Sequence, residues 1–581
     1  MTPGADTRLG DAATGVFAPL DVHFAELLGR RGAPLDAAAA TAAALAAKAV
    51  RLEHVCAVLD AGGVALLWHD DDDAEVAGAP DPAALLAALR DAPGLVEVVD
   101  EGADVDEHGE HPLVLSGARL YLRRYALLEQ LVAARLSAAG TLTSPVGAEA
   151  ALSALGGRAD DDQRAAVARA LTAPVSVVAG GPGTGKTTAV GLLLAVAAAV
   201  EPPLTVRLAA PTGKAAARLD EAVRAAPVVD DPPRARTLHA LLGAGPDGVV
   251  RSRAPLDADV VVVDEASMVS LPLLAETLRR TRHDARVVLV GDPDQLASIE
   301  VGAVLADVVE AARDPAGGGV VVSRLSTAHR FADGEGVGAL AAAVRAGDVA
   351  VVDEVAAAHP TVRRLTPADR ARVVTTVIDH AAELVGAARR GDAARALGLA
   401  ASLGVLCAHR RGDGSTAWWG RAVEQGLRDR GVVRPRDVDY VGRPLLVTRN
   451  DRLTGLMNGM TGVVVAGDDG PAAAFDVGLF PLAAVAWAET AWALTIHKSQ
   501  GSEFEEVVVS LPDPSSPLLT RELVYTAVTR ARRGVTLVAP EGTLEAALAQ
   551  RVARASGLVA RLRARGAGYP ARADSSIPPA T

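Results

Sequence analysis

A chain of 581 residues is too long for one hydrophobic core, so three or more domains are expected, and apolar stretches of about a dozen residues, such as 192–200 with its neighbours, are too short to cross a membrane. The net charge of −13 excludes a protein that coats nucleic acid through a bulk basic field, so any DNA contact must be local. Two cysteines, Cys56 and Cys407, lie far apart without paired spacing and suggest neither a disulfide framework nor a zinc site; with a start that lacks a secretory signal, they point to the cytoplasm.

Of 58 basic residues only four are lysine, at positions 48, 186, 214 and 498. A lineage bias accounts for the excess of arginine but not for where the lysines remain. Three of them fall inside motifs described below, where a compact ammonium is not replaceable by a planar guanidinium.

Residues 1 to 145 carry no catalytic pattern. Ala-rich helical stretches alternate there with an acidic run, Asp70 to Asp73, read as a solvated loop. The region closes on a predicted helix over 120–136, in which Tyr121, Tyr125, Leu128, Val132 and Leu136 share one face. From 146 to 335, short Val-rich runs at 175–179, 204–210, 260–263 and 287–290 alternate with helical segments, the pattern of buried parallel strands in an α/β doubly wound fold. A second block of this kind spans 336–565, with strands expected at 405–408, 507–510 and 535–538. It is interrupted by a small β-rich insertion at about 430–485. The tail, 566–581, is expected to be disordered.

Gly180, Gly181, Pro182, Gly183, Thr184, Gly185, Lys186, Thr187 and Thr188 form a phosphate-binding loop of the type GxxxxGK[ST], after a strand and before a helix. Its glycines let successive backbone N–H groups curl around the phosphates of ATP. Lys186 reaches the β and γ positions, and Thr187 can hold Mg²⁺. Four valines then lead into Asp264, placed to hold the Mg²⁺, and Glu265, placed to deprotonate the attacking water. After a further strand, Gln295 in Gly291-Asp-Pro-Asp-Gln295 could sense the γ-phosphate. Arg330 and Arg530 could neutralise charge developing on the transferred phosphoryl group. Gln163, ahead of the loop, could pair with the adenine edge.

Pro211-Thr-Gly-Lys214-Ala-Ala-Ala-Arg218, Asp264-Glu-Ala-Ser267, Gly291 to Gln295, Thr495-Ile-His-Lys-Ser-Gln-Gly-Ser502 and Val524 to Arg532 occur in the order seen in superfamily 1 DNA helicases. The first and fourth resemble the RecD branch, and the segment 112–124 resembles the RecD amino-terminal domain rather than the extended form that works alone. These motifs cover roughly 160–535. The resemblance implies two RecA-like motor domains, a first of 146–335 and a second of 336–565, and an amino-terminal domain of 1–145 that docks on a partner or merely buttresses the first motor. It implies an ATP- and Mg²⁺-dependent helicase moving 5′ to 3′ on single-stranded DNA from duplex ends. Its setting would be a heterotrimer with RecB-like and RecC-like subunits that processes double-strand breaks, with no nuclease site of its own.

Thr212, Lys214, Thr237, His239, His497 and Lys498 follow strands, where they can contact DNA phosphates; His239 and His497 fit satisfied loop or core histidines equally well. Aromatic residues make up only 3% of the chain, so contacts to the DNA backbone should dominate over stacking, with strong salt sensitivity. The segment 243–255 fits a strand-separating pin and a plain surface loop about equally. A subunit that binds without turnover, and a motor directed to RNA, are the competing readings. The complete set of phosphate-site residues speaks against the first and the RecD-like motif forms against the second.

Overall fold

Val260–Val263 shows why these valine runs become strands: each residue is buried, with Val261 and Val263 in one apolar cluster and Val260 and Val262 in another on the opposite face of the sheet. The computed structural model describes residues 15–566 apart from 32–34, 70–75, 93, 139–141, 226–230, 246–249, 299, 315–318, 327–334, 435–438, 452, 469 and 553. The acidic run 70–73, Arg330 and the tail beyond 566 therefore lie outside the described residues.

The first motor is a six-stranded, all-parallel sheet in the order Val321–Leu325, Val175–Gly180, Arg286–Gly291, Val260–Val263, Val206–Ala210, Ala235–Thr237. Helices Asp161–Thr172, Lys186–Ala199 and Gly213–Ala225 share a core with one face; Leu271–Arg280 and Arg123–Leu136 share a core with the other. The second motor sheet is also all parallel, in the order Val362–Leu365, Ala531–Val538, Phe504–Ser510, Leu403–Cys407, Leu494–Thr495. The chain is thus α/β with two doubly wound sheets, as expected. In the first sheet the motifs at 180–188, 211–218, 264–267 and 291–295 sit at the carboxyl ends of strands, the place at which such sheets bind ligands; in the second, 495–502 follows Leu494–Thr495, whereas 524–532 runs along helix Arg521–Val528 into strand Ala531–Val538.

The β-rich insertion is a five-stranded antiparallel sheet, Gly478–Pro481, Ala472–Phe475, Thr461–Val465, Pro444–Leu446, Glu489–Thr490, with its own core around Leu445, Val464 and Phe475. Its last strand lies five residues past the expected limit of 485, because Glu489–Thr490 pairs back onto Leu446 and Leu445.

The amino-terminal region holds helices and also a four-stranded sheet, Ala57–Val58, Arg119–Leu122, Leu113–Ser116, Val96–Val99. This corrects the helix expected over 120–136. Arg119–Leu122 is a strand, and the helix begins at Arg123. Pairing of Leu120 with Leu115 and of Tyr121 with Val114 overrides the local helical spacing. Lys48, the one lysine outside the motifs, is fully buried and its ammonium donates to the carbonyls of Val16 and His69.

The chain beyond the second sheet turns back. Helix Leu558–Gly566 packs against Val304–Ala311 and Arg123–Leu136, and Leu558 and Leu562 share a core with Val132, Val304 and Val308. Among the described residues no helix is long and apolar enough to cross a membrane.

Candidate active site

The loop between strand Val175–Gly180 and helix Lys186–Ala199 is shaped by glycine. Gly183 and Gly185 adopt φ of +74° and +80°, and a Cβ on Gly180 would lie 2.4 Å from Thr184 Oγ1. No side chain caps the helix, so the N–H groups of its first turn are open to an anion. The Lys186 ammonium donates to the carbonyls of Gly180 at 2.7 Å and Gly181 at 2.8 Å, which holds it over the loop. Thr187, Thr188, Gln163, Asp264, Glu265, Gln295 and Arg530 line the same cleft, of about 670 Å³. Gln163 is already half used: its Oε1 accepts the Asp160 N–H at 3.2 Å in a reciprocal cap of helix Asp161–Thr172.

Strand Val260–Val263 delivers the two carboxylates. Glu265 has φ of +50°, a left-handed conformation unusual for a residue with a Cβ, and its N–H donates to Asp264 Oδ1 at 2.9 Å. Burial pushes the Asp264 carboxyl up to about 6, with the Glu265 charge adding and Lys186 opposing. Thr187 and these two acids are hard oxygen donors, too few for an all-protein cage. They suit a divalent cation that shares its shell with phosphate oxygens and water.

Gln295 joins the two motors. Its Nε2 donates to Asp292 Oδ2 at 3.1 Å, and its Oε1 accepts from Arg530 Nη2 at 2.8 Å. Asp292 also accepts from Tyr525 Oη at 3.1 Å, Leu296 N–H donates to Thr526 Oγ1 at 2.8 Å, and Gln500 Nε2 donates to the Leu296 carbonyl at 3.1 Å. Arg530 is buried and holds the Thr526 and Ser502 carbonyls as well.

The expected DNA contacts fall on two corners. Thr212 and Lys214 follow Val206–Ala210, and Thr237 and His239 follow its neighbour, with Ala210 paired to Thr237. Thr237 caps the short helix Leu238–Leu241 by accepting the Ala240 N–H at 3.2 Å, and His239 is half-buried on that helix. His497 and Lys498 follow Leu494–Thr495 in the second sheet. His497 is held below its usual range, chiefly by burial, and Lys498 pairs with Glu489 at 2.8 Å. Lys214 reaches across to the second motor, donating to Ser502 Oγ at 2.8 Å, and burial brings its ammonium down to about 8. Within the segment 243–255, Ala244 and Val250 pair in an antiparallel bridge.

Sequence reading left Arg218, Glu503, Asp292 and Tyr525 without roles. Arg218 lines the nucleotide cleft and pairs with Glu503, whose carboxylate also accepts from Arg532 at 3.1 Å. The available signal was spacing: Arg218 lies four residues after Lys214 and so one turn along the same helical face.

Residues 13–121 match the family model for the RecBCD enzyme subunit RecD, N-terminal domain; residues 158–366 match an AAA domain, and 490–538 a UvrD-like helicase C-terminal domain. The RecBCD enzyme subunit RecD of Mycolicibacterium smegmatis is 43% identical over 96% of this chain and 99% of that protein. Its counterpart in Mycobacterium tuberculosis H37Rv is 42% identical over 95% of this chain and 96% of its own length. The ATP-dependent RecD2 DNA helicase of Deinococcus radiodurans is 32% identical over 67% of this chain and half of that protein. Among solved structures, a Bacteroides Pif1 helicase in complex with ADP-AlF3 and ssDNA covers 72% of this chain and 94% of its own at 16% identity, with a TM-score of 0.36. The chain belongs to the RecD family of ATP-dependent DNA helicases.

Proposed function

We propose that this chain is the motor subunit of a RecBCD-type helicase–nuclease, moving 5′ to 3′ on single-stranded DNA from duplex ends during repair of double-strand breaks in the cytoplasm. The observation that carries the reading is the bond from Arg530 to Gln295, because it puts a buried second-motor cation beside the nucleotide loop of the first. Binding and loss of a γ-phosphate there can change how the two sheets sit, and that change is what a motor requires.

The roles proposed are those of the sequence reading, supported where the residues share the cleft. Lys186 and the open N–H groups of residues 186–188 bind the ATP phosphates, and Gln163 takes the adenine edge with its amide nitrogen. Thr187 and Asp264 would hold Mg²⁺, which would supply positive charge against the phosphates. Glu265 takes the proton of the attacking water. Gln295 reports the γ-phosphate to Asp292 and Arg530, and Arg530, with Arg330, stabilises charge in the transition state. Thr212, Lys214, Thr237, His239, His497 and Lys498 contact the DNA backbone. Residues 1–145 serve as the docking domain and 146–335 and 336–565 as the motors, with the last helix of the second returning to the core of the first. The likeness to RecBCD subunits supports RecB-like and RecC-like partners, one of which would do the cutting.

Three measurements test the reading. Glu265→Gln should bind ATP yet lose DNA-stimulated hydrolysis by about 10²–10⁴-fold, the usual contribution of a general base. On matched tailed duplexes the wild-type chain should open the 5′-tailed one. Turnover by the variant near wild type removes Glu265 from the chemistry, preference for a 3′ tail removes the polarity, and stimulation by RNA equal to that by DNA removes the substrate.

A further inference from the structure

Helix Gly213–Ala225 runs from the DNA corner of the first motor to the nucleotide cleft. Two of its residues, one turn apart, meet consecutive residues of the second motor. Lys214 Nζ donates to Ser502 Oγ at 2.8 Å, and Arg218 pairs with the carboxylate of Glu503. That carboxylate is only 10% exposed and is gripped from its own side by Arg532 at 3.1 Å, so one anion sits between an arginine of each motor. The segment 500–503 is tied in at two further points: Gln500 Nε2 donates to the Leu296 carbonyl, and Arg530 Nη1 donates to the Ser502 carbonyl at 3.3 Å. The residues that would feel DNA, through Lys214, and nucleotide, through Arg218 and Arg530, thus converge on four consecutive residues.

We propose that Arg218 and Glu503 are a positioning pair through which DNA on the track and nucleotide in the cleft alter each other's affinity, an inference that rests on the helicase reading above. Arg218 faces Glu503 on one side and the Asp264–Glu265 end of the cleft on the other. A triphosphate entering that cleft adds negative charge on the second side and competes for the guanidinium. A DNA phosphate competes with Ser502 for Lys214 in the same way. The two residues are one turn, a rise of about 6 Å, apart along the helix, so release of one shifts the segment that holds the other. A merely structural ion pair, with Arg218 42% exposed, would add little to stability and nothing to coupling.

The test is a coupling measurement on the full chain. The dissociation constant of a fluorescent oligothymidylate is measured with and without a non-hydrolysable ATP analogue, and the ratio of the two is the coupling. The wild type should show a ratio well away from one. Arg218→Gln and Glu503→Gln should each bring it within about twofold of one, the double variant should match either single, and Arg218→Lys should restore part of it. Melting temperatures near wild type would show that the variants fold. A wild-type ratio of one, an unchanged ratio in folded variants, or single effects that multiply in the double would overturn the pair's role. A wild-type chain that binds no oligothymidylate would overturn the helicase reading itself.

Discussion

Two of the contacts that join the second half of the chain to the first among the described residues are built from different materials. Across the nucleotide cleft the bonds run between polar side chains and backbone groups: Asp292, Gln295, Tyr525, Thr526, Arg530, Gln500 and Ser502. At the other contact, Leu558 and Leu562 lie in a common apolar core with Val132, Val304 and Val308. A Cβ on Gly557 would fall 2.1 Å from Tyr121 Oη. The Glu129 carboxylate there is fully buried and accepts from Tyr121, Ser556, Gly557 and Arg561. His54 accepts the Ala555 N–H at 2.9 Å and is pushed down to about 4 by burial, so it stays neutral there. Polar bonds can be exchanged for bonds to water or ligand at little net cost, whereas a dry core and a buried ion pair cannot. The cleft is therefore the seam whose bonds can be exchanged, and the Leu558–Gly566 helix is the joint whose contacts cannot.

The largest effect should come from breaking the joint. Arg561→Met leaves the Glu129 charge buried without its cation, a change that costs about 3–5 kcal/mol. The melting temperature should fall sharply, and adding Glu129→Gln should recover much of the loss. A melting curve that barely moves would mean that the helix is not a fixed joint. Breaking the seam should do the opposite. Arg530→Lys keeps the charge but not the planar fork, and should lower ATP turnover by about 100-fold while lowering the melting temperature less than Arg561→Met does. If that variant melts like Arg561→Met, the seam is as structural as the joint.

A smaller effect sharpens the distinction through pH. Burial places the Lys214 ammonium at about 8, so it is charged at pH 7 and mostly neutral at pH 9. Because only the charged form can bind phosphate, the DNA affinity expected of it is present below pH 8 and lost as pH rises through it. The oligothymidylate dissociation constant should rise about tenfold between pH 7 and 9 at fixed salt, roughly one charge-assisted contact, and stay nearly flat in Lys214→Arg. Parallel curves for the two proteins would take Lys214 off the track.

The joint and the seam were not equally legible in the sequence. The phosphate loop, the Asp264–Glu265 pair and Gln295 could be read because each requires a fixed residue order after a strand, and Val260–Val263 has the bounds that its composition implies. Arg119–Leu122 could not, because its strand is specified by a partner strand and helical spacing continues straight through it. The return of Leu558–Gly566 to the first motor depends on contacts more than 400 residues apart in sequence, such as that between Arg561 and Glu129. Nothing local marks them. Arg218 was hidden for a different reason: in a chain so rich in arginine its type carries no information, and its spacing from Lys214 becomes distinctive only beside the opposing Glu503.

The smallest expected effect lies at the edge of the seam, where Lys498 pairs with Glu489 of the β-rich insertion at 2.8 Å. Their side chains are 31% and 59% exposed, and a pair that open to water contributes only about 0–1 kcal/mol to stability. A DNA phosphate can therefore take Lys498 from Glu489, but in doing so it must also approach the carboxylate that it displaces. Glu489→Gln removes both the competition and the repulsion. It should tighten oligothymidylate binding by about two- to threefold at low salt, an advantage that shrinks as salt screens the charges. The melting temperature should not change, since no buried group loses a partner. Weaker binding in Glu489→Gln would mean that the carboxylate holds Lys498 in place for DNA, and the insertion would then be part of the track instead of its competitor.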